Sequence, residues 1–514
     1  MKRINHKILA FITFCALALH TSAQPKKAGQ PQEVKTLIVF FDGLRPDYIT
    51  QELMPNLYAF KQKACYGTQH HSVFPTVTRV NASSYSTGSY PGTHGLMGNT
   101  VFFPQVKTNG GLNTGDAADL NKIDSATDGH LLTTISLGEV LKNNGKKMMV
   151  FSSGSTGQAL MQNHTASGGP TINPGMILPE SFRQQVINDI GPIPAGGKPN
   201  TAQHKWVTDA LLKYGLQPDG PLVSAIWLSD PDGAAHSDGI GSPKAIEALK
   251  AVDTEFGRII DALKARNLDG LFNIIISTDH GFITHAGKQG LTEFLIAEGF
   301  KKDKDSEDVI VVEGAIYVKD HDEAIIQKIV SALQAQTWVG GIFTKGKAGD
   351  TKGHVPGTVS FEAIHWNHPQ RAADILTDAN WDDTKNAYGY AGTNYARGVA
   401  GHGGLSPYEV HIGLMVYGPS FKKGGTTDLP TSNVDIVPTI LAINHIPVPT
   451  AMDGRVIEEV LTSPSSSIQS KWKPSIHTIE TIATYNGGSY QLQLQQTVFG
   501  KYVYVDFSKV TRKN

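Results

Sequence analysis

The sequence is poor in cysteine, in net charge and in long apolar runs. It has two cysteines, and only Cys65 lies beyond the N-terminal apolar stretch, so no intrachain disulfide is expected in the mature chain. Charged residues make up 18% of the chain, and Lys plus Arg (45) nearly balance Asp plus Glu (46) without long blocks of one sign. This balance argues against binding of nucleic-acid polymers or membrane surfaces by bulk charge. A hydrophobic content of 40% rules out wholesale disorder.

The N-terminus has the pattern of a secretory signal peptide. A positively charged start, MKRINHK, precedes a largely apolar stretch over residues 8–19, and Ala23 ends a cleavage site of small residues. The apolar stretch is shorter than the roughly 20 residues that cross a bilayer, and no later run approaches that length. We therefore expect a signal peptide over 1–23, a polar linker over 24–32, and a periplasmic or secreted protein whose mature form has no membrane span.

Short, continuously apolar runs recur along the chain, and each ends in polar residues. These runs cover 36–41, 147–151, 222–228, 272–276 and 411–417. Strands of this kind suit a parallel sheet that is covered on both faces. The clearest helix follows Ser242-Pro243, where apolar residues repeat at three- and four-residue steps. The alternation predicts an α/β core with a doubly wound, mostly parallel central sheet and helices on both faces.

Two segments depart from this alternation. Residues 291–400 have a strand–helix–strand pattern of their own, over 309–318, 325–336 and 338–344, and are predicted to form an inserted α+β cap. Residues 468–514 alternate between apolar and polar and predict a C-terminal β unit. The catalytic core is then expected to comprise 33–290 and 401–467.

Residues with metal-binding side chains follow three of the predicted strands. They are Asp42 after the first strand, Asp230, Asp232 and His236 after the third, and Asp279 and His280 after the fourth. Ligands in open α/β sheets gather beyond the carboxyl ends of the strands, so these side chains are expected to meet at one edge. Each one alone could be a helix cap or a turn residue. Several carboxylates together would repel without cations between them, and Asp and His without thiolate favour Zn²⁺ over Mn²⁺ or Mg²⁺.

Three further residues are candidates for the same site. Thr78 in FPTVTRVN is predicted at a helix N-terminus, which suits a phosphate, although it could also be a plain N-cap. Asn99, at the end of YPGTHGLMGN, could donate to a phosphoryl oxygen or be a turn residue. His402 lies between glycines that let the backbone approach an ion, and its alternative is a structural histidine.

Together these motifs resemble the alkaline phosphatase superfamily, specifically its type I phosphodiesterase/nucleotide pyrophosphatase branch. The matching pieces follow the order of that family: IVFFDGLRPDY, MPNL, FPTVTRVN, YPGTHGLMGN, SDPDGAAH, STDHG, and GHGGLSPYEVHIGLMVYGP with NVDIVPT behind it. They extend from about residue 36 to residue 455. The resemblance implies two divalent ions, with zinc as the expected metal. It implies one ion held by Asp42, Thr78, Asp279 and His280, and a second held by Asp232, His236 and His402.

The resemblance also implies roles for the remaining residues. Thr78 is the expected nucleophile, which attacks phosphorus in line and forms a phospho-threonine. Asn99 matches the phosphate-contacting asparagine of the family, and with the N–H of Arg79 it is expected to stabilise the equatorial oxygens. Asp230 stands where the motif of the family has an acidic residue that is not a ligand. The expected function is that of an exported, metal-dependent hydrolase of small-molecule phosphate esters, foremost a phosphodiesterase.

Differences between this sequence and the motifs of other branches of the superfamily decide which other activities are considered. Thr78-Arg79-Val80-Asn81 lacks the C/S-x-P-x-R motif of sulfatases, and Arg79 replaces the aromatic residue of nucleotide-cleaving members. Threonine-type alkaline phosphatases and phosphonoacetate hydrolases have two cationic side chains where this chain reads SSGSTGQ over 152–158, which favours a diester. An alkaline phosphomonoesterase or phosphonate hydrolase remains the alternative, because Arg79 could bind the third phosphoryl oxygen rather than face solvent. A catalytically inactive binding protein is the remote alternative.

Overall fold

The first strand explains why the central sheet is covered on both sides. In the computed structural model, which describes residues 33–464 and 469–513, all 7 residues of Lys35–Phe41 are buried. Ile38 and Phe40 pack into the core on one face of the sheet, and Leu37 and Val39 pack into the core on the other. A strand with apolar side chains in both directions requires cover on both faces. The predicted signal peptide and linker lie outside the described residues.

Strands and helices alternate along much of the described chain. The strands are β1 Lys35–Phe41, β2 Cys65–His71, β3 Thr100–Val101, β4 Leu112–Asn113, β5 Met148–Ser152, β6 Thr171–Asn173, β7 Met176–Leu178, β8 Val223–Leu228, β9 Phe272–Ser277, β10 Ile283–Gly287, β11 Val309–Val312, β12 Ala315–Val318, β13 Val339–Thr344, β14 Val359–Ser360, β15 Ile375–Ala379, β16 Trp381–Lys385, β17 Ala391–Arg397, β18 Ala400–Gly401, β19 His411–Tyr417, β20 Thr426–Thr427, β21 Thr431–Ser432, β22 Ser475–Tyr485, β23 Gly488–Phe499 and β24 Tyr502–Lys513. The α-helices are α1 Pro55–Lys63, α2 Thr78–Thr87, α3 Pro91–His94, α4 Ala117–Ala126, α5 Leu137–Asn143, α6 Thr156–Met161, α7 Arg183–Ile190, α8 Thr201–Ala210, α9 Asp232–Asp238, α10 Pro243–Ala265, α11 Leu291–Ala297, α12 Glu323–Gln334, α13 Pro407–Val410 and α14 Ile436–Ile443.

The central sheet has the strand order β20-β2-β19-β9-β1-β8-β5-β6-β7, and β21 also pairs with β2. Its four middle strands, β9, β1, β8 and β5, run parallel. The predicted doubly wound, mostly parallel α/β fold is therefore confirmed. The run 411–417 differs from the expectation, because β19 is antiparallel to both of its neighbours. The reason is that the chain enters β19 shortly after His402, at the carboxyl edge of the parallel strands, and runs away from that edge.

The predicted helix after Ser242-Pro243 is α10. The Ser242 side chain accepts a hydrogen bond from the Ala245 N–H, and Pro243 is the first helical residue. Leu249, Val252 and Phe256 are buried along its inner face against the sheet. The three- and four-residue spacing therefore predicted both the helix and its buried side.

The segment predicted as an inserted cap contains most of a second, smaller assembly. β11, β12, β15, β13 and β14 form a five-stranded sheet in that order, and α12 packs beside it. The run 309–318, expected as one strand, is a hairpin, because Glu313 adopts a positive φ of 54° and Gly314 lies too close to the Thr377 carbonyl for a side chain. A four-stranded sheet, in the order β16-β17-β10-β18, connects this segment to the core.

The three last strands form a sheet of their own. β22, β23 and β24 pair in sequence order, and the burial of β23 alternates along its length, as the period-2 pattern predicted. The Ser508 N–H donates to the Leu405 carbonyl at 2.9 Å, so this sheet is docked on the rest of the molecule. Across the described residues, no helix has both the length and the apolar character needed to cross a bilayer.

Candidate active site

The carboxyl edge of the parallel strands gathers the predicted ligands. Asp42 follows β1, Asp232 begins α9 just after β8, and Asp279 and His280 follow β9. Because β9, β1 and β8 are neighbours, the three strand ends place these side chains next to one another. Asp232 and His236 lie one turn apart on α9, as their spacing predicted.

The first group surrounds the hydroxyl of Thr78. The Thr78 Oγ lies 3.3 Å from Nε2 of His280, and the same nitrogen lies 3.0 Å from Asp279 Oδ2 and 3.7 Å from Asp42 Oδ1. The other oxygens of the two carboxylates are held by the protein. The Trp227 indole N–H donates to Asp42 Oδ2 at 2.9 Å, and the Gly43 N–H donates to Asp279 Oδ1 at 3.0 Å.

The second group is centred on Asp232. Its Oδ1 lies 3.2 Å from Nε2 of His236 and 3.3 Å from Nε2 of His402. One ligand atom each of Asp42, Asp232 and His280 also lie within 4.8 Å of one another, so the two groups adjoin. All seven residues predicted as ligands are thereby brought together.

Backbone carbonyls orient all three imidazoles in the same way. Nδ1 of His280 contacts the Gly281 carbonyl at 2.9 Å, Nδ1 of His236 contacts the Ala400 carbonyl at 3.0 Å, and Nδ1 of His402 contacts the Thr76 carbonyl at 2.8 Å. Since a carbonyl only accepts, each Nδ1 carries a proton, and each Nε2 is left free to offer its lone pair to a cation between the imidazole and the carboxylates. Metal-binding histidines in proteins are oriented by such hydrogen bonds.

Gly281 allows a close approach between two segments beside Asp279 and His280. It has no positive φ and lies against the Tyr408 carbonyl, where no Cβ fits. Its N–H donates to the Glu409 carbonyl at 2.9 Å, which fixes the segment that follows β9.

The charges of the cluster are unbalanced. Burial raises the pKa of the Asp42 carboxyl well above its usual range, and the Asp279 and Asp232 carboxylates raise it further. Burial would also raise the pKa of Asp232, but the His236 and His402 imidazoles bring it well below its usual range. Burial, above all, lowers the pKa of His402 to about 4. Burial opposes the rise, but the Asp279 carboxylate raises the pKa of His280, and the Asp232 carboxylate raises that of His236. Carboxylates that draw positive charge onto neighbouring imidazoles make a site that favours a bound cation.

The unpaired atoms of the site fit metal ions. Asp42 Oδ1, Asp232 Oδ1 and Asp279 Oδ2 are buried, and none of them completes a hydrogen bond within the described residues. Buried carboxylate oxygens without partners are costly, and here they lie beside imidazole nitrogens at the distances given above. Carboxylate oxygen and imidazole nitrogen are the donor set of catalytic zinc sites without thiolate. The residues therefore fit two adjoining divalent ions.

Thr78 is presented by the start of α2. It is the first helical residue, and the N-cap is Val77, which makes no side-chain cap. The Thr78 hydroxyl is therefore not used as a helix cap and points toward His280. The positive end of the helix dipole suits a phosphoryl group at this position.

Asn99 and Arg79 are bound to each other. The Arg79 N–H, which was expected to face the phosphoryl group, donates to Asn99 Oδ1 at 3.0 Å. This contact leaves the Asn99 amide N–H₂ as the donor toward a ligand. The Arg79 side chain is partly buried beside Gly115, and its Nε has no hydrogen-bond partner in the described chain. Arg79 is thus not a solvent-facing helix residue.

Glu313 belongs to the site but has no signal in the sequence. It lies at the tip of the β11–β12 hairpin, and its Oε2 accepts a hydrogen bond from the Asn99 N–H at 3.1 Å. The carboxylate also lies close enough to Arg79 to offset part of the lowering that burial causes in the pKa of the guanidinium. The sequence gives no signal for this contact, because the two residues lie 214 positions apart.

A cavity of about 480 Å³ lies between the candidate metal-binding cluster and the inserted segment. Its lining includes His236 and His402 of the cluster, together with Asn99 and Glu313. Tyr317 and Trp338 add aromatic surface from the inserted segment. The cavity is large enough for an organic substituent attached to a phosphoryl group at Thr78.

Two predicted neighbours lie outside the cluster. Asp230 binds the imidazole of His204 at 2.9 Å and the Asn200 N–H at 2.7 Å, so it is occupied away from the ligands. In the stretch 152–158, the Ser152 hydroxyl donates to Gln158 at 2.5 Å and Ser153 Oγ contacts His204 at 2.9 Å. These hydroxyls are therefore used within the protein.

Comparison with known proteins places the chain among phosphoesterases. Residues 36–400 match the family model described as type I phosphodiesterase / nucleotide pyrophosphatase. The chain is 26% identical over 268 residues to ectonucleotide pyrophosphatase/phosphodiesterase family member 3 of Mus musculus, covering 51% of this chain and 26% of that protein. It is 26% identical over 260 residues to venom phosphodiesterase 2 of Crotalus adamanteus, covering 48% and 27%. The matches span about a quarter of the length of these relatives.

Solved structures agree on the fold. The murine ectonucleotide pyrophosphatase/phosphodiesterase 5 superposes with a TM-score of 0.58 at 18% identity, covering 83% of this chain and 100% of that one. The alkaline phosphatase PafA superposes with a TM-score of 0.64 at 15% identity, covering 84% and 100%. At such low identity the likeness establishes the alkaline phosphatase-like fold.

Proposed function

The chain belongs to the type I phosphodiesterase/nucleotide pyrophosphatase family, and from this premise we propose that it is an exported, metal-dependent phosphodiesterase acting through a phospho-threonine. One observation supports this proposal above the others. Three buried, unpaired carboxylate oxygens and three oriented imidazole nitrogens converge beside the Thr78 hydroxyl. A metal-free structural cluster would pair these oxygens with donors, so the arrangement supports bound cations beside the Thr78 hydroxyl.

The proposed ligands divide into the two adjoining groups. Asp42, Thr78, Asp279 and His280 would hold one ion, and Asp232, His236 and His402 would hold the other. When bound, the two ions would supply Lewis-acid activation of the hydroxyl and stabilisation of the negative charge that develops on oxygen. Zinc is the proposed metal, because imidazole and carboxylate ligands without thiolate suit it best.

The reaction proceeds at Thr78 in two displacements. The Thr78 Oγ forms a bond to phosphorus while the bond to the first alcohol breaks, and that alcohol leaves with the proton. Water then attacks phosphorus, the bond to Thr78 breaks, and the hydroxyl is restored as the phosphate monoester departs. The Asn99 amide N–H₂ donates to an equatorial oxygen in both steps, since its Oδ1 is already engaged by the Arg79 N–H.

A diester fits the charges of the pocket better than a monoester. A monoester arrives as a dianion and needs a further cationic partner for its third oxygen. The Glu313 carboxylate stands on the cavity wall beside Asn99 and disfavours additional negative charge there. The second substituent of a diester is neutral and could lie in the cavity against Tyr317 and Trp338. The side chain of Arg79 supports the phosphomonoesterase alternative, because its Nε is unpaired.

Two substrates and one variant separate these readings. We expect a higher kcat/KM for bis-(4-nitrophenyl) phosphate than for 4-nitrophenyl phosphate, with activity lost on chelation and restored by Zn²⁺. Arg79→Ala should lower both rates while keeping the diester preference. A monoester preference that disappears in Arg79→Ala would show that Arg79 replaces the missing cationic pair and that the alternative is correct. Absence of hydrolysis with both sites loaded would favour the inactive binding protein.

The proposed export depends on the N-terminal pattern of charge, apolar stretch and small residues. Two similar proteins have names that describe an ecto-enzyme and a venom enzyme, which fits secretion. Expression of the full chain with mass spectrometry of the mature N-terminus tests this point. Cleavage near Ala23 is expected, and an uncleaved protein retained in the cytoplasm would contradict export.

A further inference from the structure

A second cluster of histidine and aspartate lies apart from the candidate active site. His71 ends β2 and His411 begins β19, and the two are directly paired in the antiparallel register of the central sheet. Directly opposed residues present their side chains on the same face of a sheet. Asp506 on β24 reaches this face from the C-terminal sheet, and one ligand atom from each of the three lies within 4.8 Å of the others.

His71 is oriented as the candidate catalytic histidines are. Its Nδ1 contacts the Thr431 carbonyl at 2.9 Å, and its Nε2 faces Asp506 Oδ1 at 2.9 Å. The pattern of a carbonyl behind Nδ1 and a carboxylate before Nε2 also holds His280 beside Asp279. A carbonyl behind the ring is the support that metal-binding imidazoles use.

Asp506 is fixed by its own neighbours. Gln495 donates to Oδ2 at 3.1 Å, and the Thr497 hydroxyl lies 3.0 Å from both oxygens. The carboxylate is buried, with a side-chain exposure of 3%. Hydrogen bonds of this kind hold metal-binding carboxylates in place, and they leave lone pairs on Oδ1 directed toward the histidines.

His411 is the third residue of the cluster, and in the described part of the chain its ring takes no part in the hydrogen bonds that hold His71 and Asp506. Its ring centroid lies 5.0 Å from that of His71, and within 33–464 and 469–513 no hydrogen bond to its ring is found. The ring is half-buried, so one side of the cluster remains accessible to water. A simple ion pair between His71 and Asp506 gives no reason for an unpaired imidazole at this distance.

We propose that His71, His411 and Asp506 bind a third divalent cation of the zinc class. Two imidazoles, one carboxylate and a water on the accessible side make a four-coordinate zinc site. The three ligands come from two separate sheets, so the ion would fasten the C-terminal β unit to the central sheet. The cluster shares no residue with the candidate active site. The hydroxyl of Ser72, next in sequence to His71, donates to the Asp279 carbonyl at 2.5 Å. This hydrogen bond connects the proposed third site to the carboxyl edge of the central sheet.

Bound zinc can be counted at each cluster separately. The full mature chain is stripped with chelator, reloaded with Zn²⁺ alone, freed of excess ion and crystallised, and anomalous difference maps are recorded at the zinc edge. We expect a peak between His71, His411 and Asp506 in addition to those at the candidate active site. Because the peaks are separate in space, absence of zinc at the active site would count against the proposed function and not against this inference.

Variants establish which residues hold the ion. Elemental analysis should find one equivalent fewer in His411→Ala and in Asp506→Asn than in the wild type, while hydrolysis by His411→Ala stays within twofold of the wild type. His477→Ala, which removes an exposed histidine of the C-terminal sheet, should keep the full content. Zinc reloading should raise the Tm of the wild type more than that of His411→Ala. If Asp506→Asn does not fold, the wild-type map and His411→Ala suffice.

The contrary result is equally clear. Crystals equilibrated with excess Zn²⁺ that show no density at this cluster would overturn the proposal and leave a metal-free ion pair between His71 and Asp506. Equal zinc content in the wild type and His411→Ala would overturn it as well.

Discussion

The carboxyl edge of the central sheet and the inserted segment meet at one cavity, but they contribute to it differently. The edge places Asp42, Asp232 and Asp279 directly after neighbouring strands, so their positions follow from the parallel order of the sheet. The inserted segment places Glu313 at the tip of a hairpin and adds the aromatic surface of Tyr317 and Trp338. Under the proposed function, the edge would perform the chemistry, and the inserted segment would select which ester enters.

The difference has a physical basis. Strand ends are fixed by a buried sheet whose residues are packed on both faces, so side chains at these ends are held rigidly. A hairpin tip depends on a few contacts and can vary without disturbing the core. We therefore expect changes at the edge to abolish turnover and changes in the inserted segment to alter preference among substrates.

Removal of the proposed nucleophile, Thr78, should have the largest effect. Thr78→Ala should lower kcat/KM for bis-(4-nitrophenyl) phosphate by several orders of magnitude, because the covalent route is lost. Folding should change by no more than about 1 kcal/mol, since Val77 rather than Thr78 occupies the N-cap. Thr78→Ser retains a hydroxyl and should keep measurable activity. Near-normal rates in Thr78→Ala would mean that water attacks phosphorus directly.

A substitution of Asn99 tests the carboxyl edge where it contacts Glu313 of the inserted segment. Asn99→Ala should lower kcat by about 10²–10³, as expected for loss of one donor to a developing oxyanion. Asn121→Ala on the exposed side of α4 is the matched control and should be silent. A change in KM alone would show that Asn99 binds the ground state and the transition state equally.

Glu313 tests the inserted segment itself. Glu313→Gln retains an acceptor for the Asn99 N–H but removes a negative charge, so the monoester-to-diester ratio of kcat/KM should rise about tenfold. Glu298→Gln, an exposed change in the same segment, should leave the ratio unchanged. Metal content should be normal in both variants. An unchanged ratio in Glu313→Gln would place the selection of substrate elsewhere.

Asp378 should have the smallest effect on activity, and its test concerns stability. Burial, followed by the nearby Glu409 charge, raises the pKa of this carboxyl to about 8, and its Oδ2 accepts from the Leu405 N–H at 2.9 Å. The protonated form is therefore favoured in the folded state. The stabilisation that the protonated Asp378 carboxyl gives to the folded state is fully present below its unfolded pKa of about 4. This stabilisation is lost as the pH rises through the folded pKa of about 8.

Asp378→Asn should remove this dependence. Urea unfolding from pH 5 to 8 should show a free energy of unfolding that falls for the wild type, by at most about 1.4 kcal/mol per pH unit, and falls less for the variant. Activity at pH 7 should change less than in Glu313→Gln. Identical slopes would show that Asp378 is ionised in the folded protein throughout this range.

The sequence was sufficient for the edge because its residues lie immediately after apolar runs. Asp42 and Asp279 each end such a run, and Asp232 and His236 have helical spacing, so local pattern alone brings them together. The sequence was insufficient to predict contacts between residues that lie far apart along the chain. Glu313 meets Asn99 across 214 positions, and His71 meets Asp506 across 435 positions.

Two local details were also beyond reach of the pattern. The Arg79 N–H was expected to face phosphate, but it donates to Asn99 Oδ1, and sequence does not reveal amide orientation. The run 309–318 was expected as one strand, because a glutamate at positive φ is uncommon and gives no warning of a turn.

Direct detection of the covalent intermediate tests the central claim most closely. Metal-loaded protein is mixed with bis-(4-nitrophenyl) phosphate, quenched in acid within the first turnovers, digested and examined by mass spectrometry. The account predicts a 4-nitrophenyl phosphoryl group on the peptide that contains Thr78, present in the wild type and absent from Thr78→Ala. Full burst kinetics of 4-nitrophenol with an unmodified Thr78 peptide, or the same label in Thr78→Ala, would contradict it.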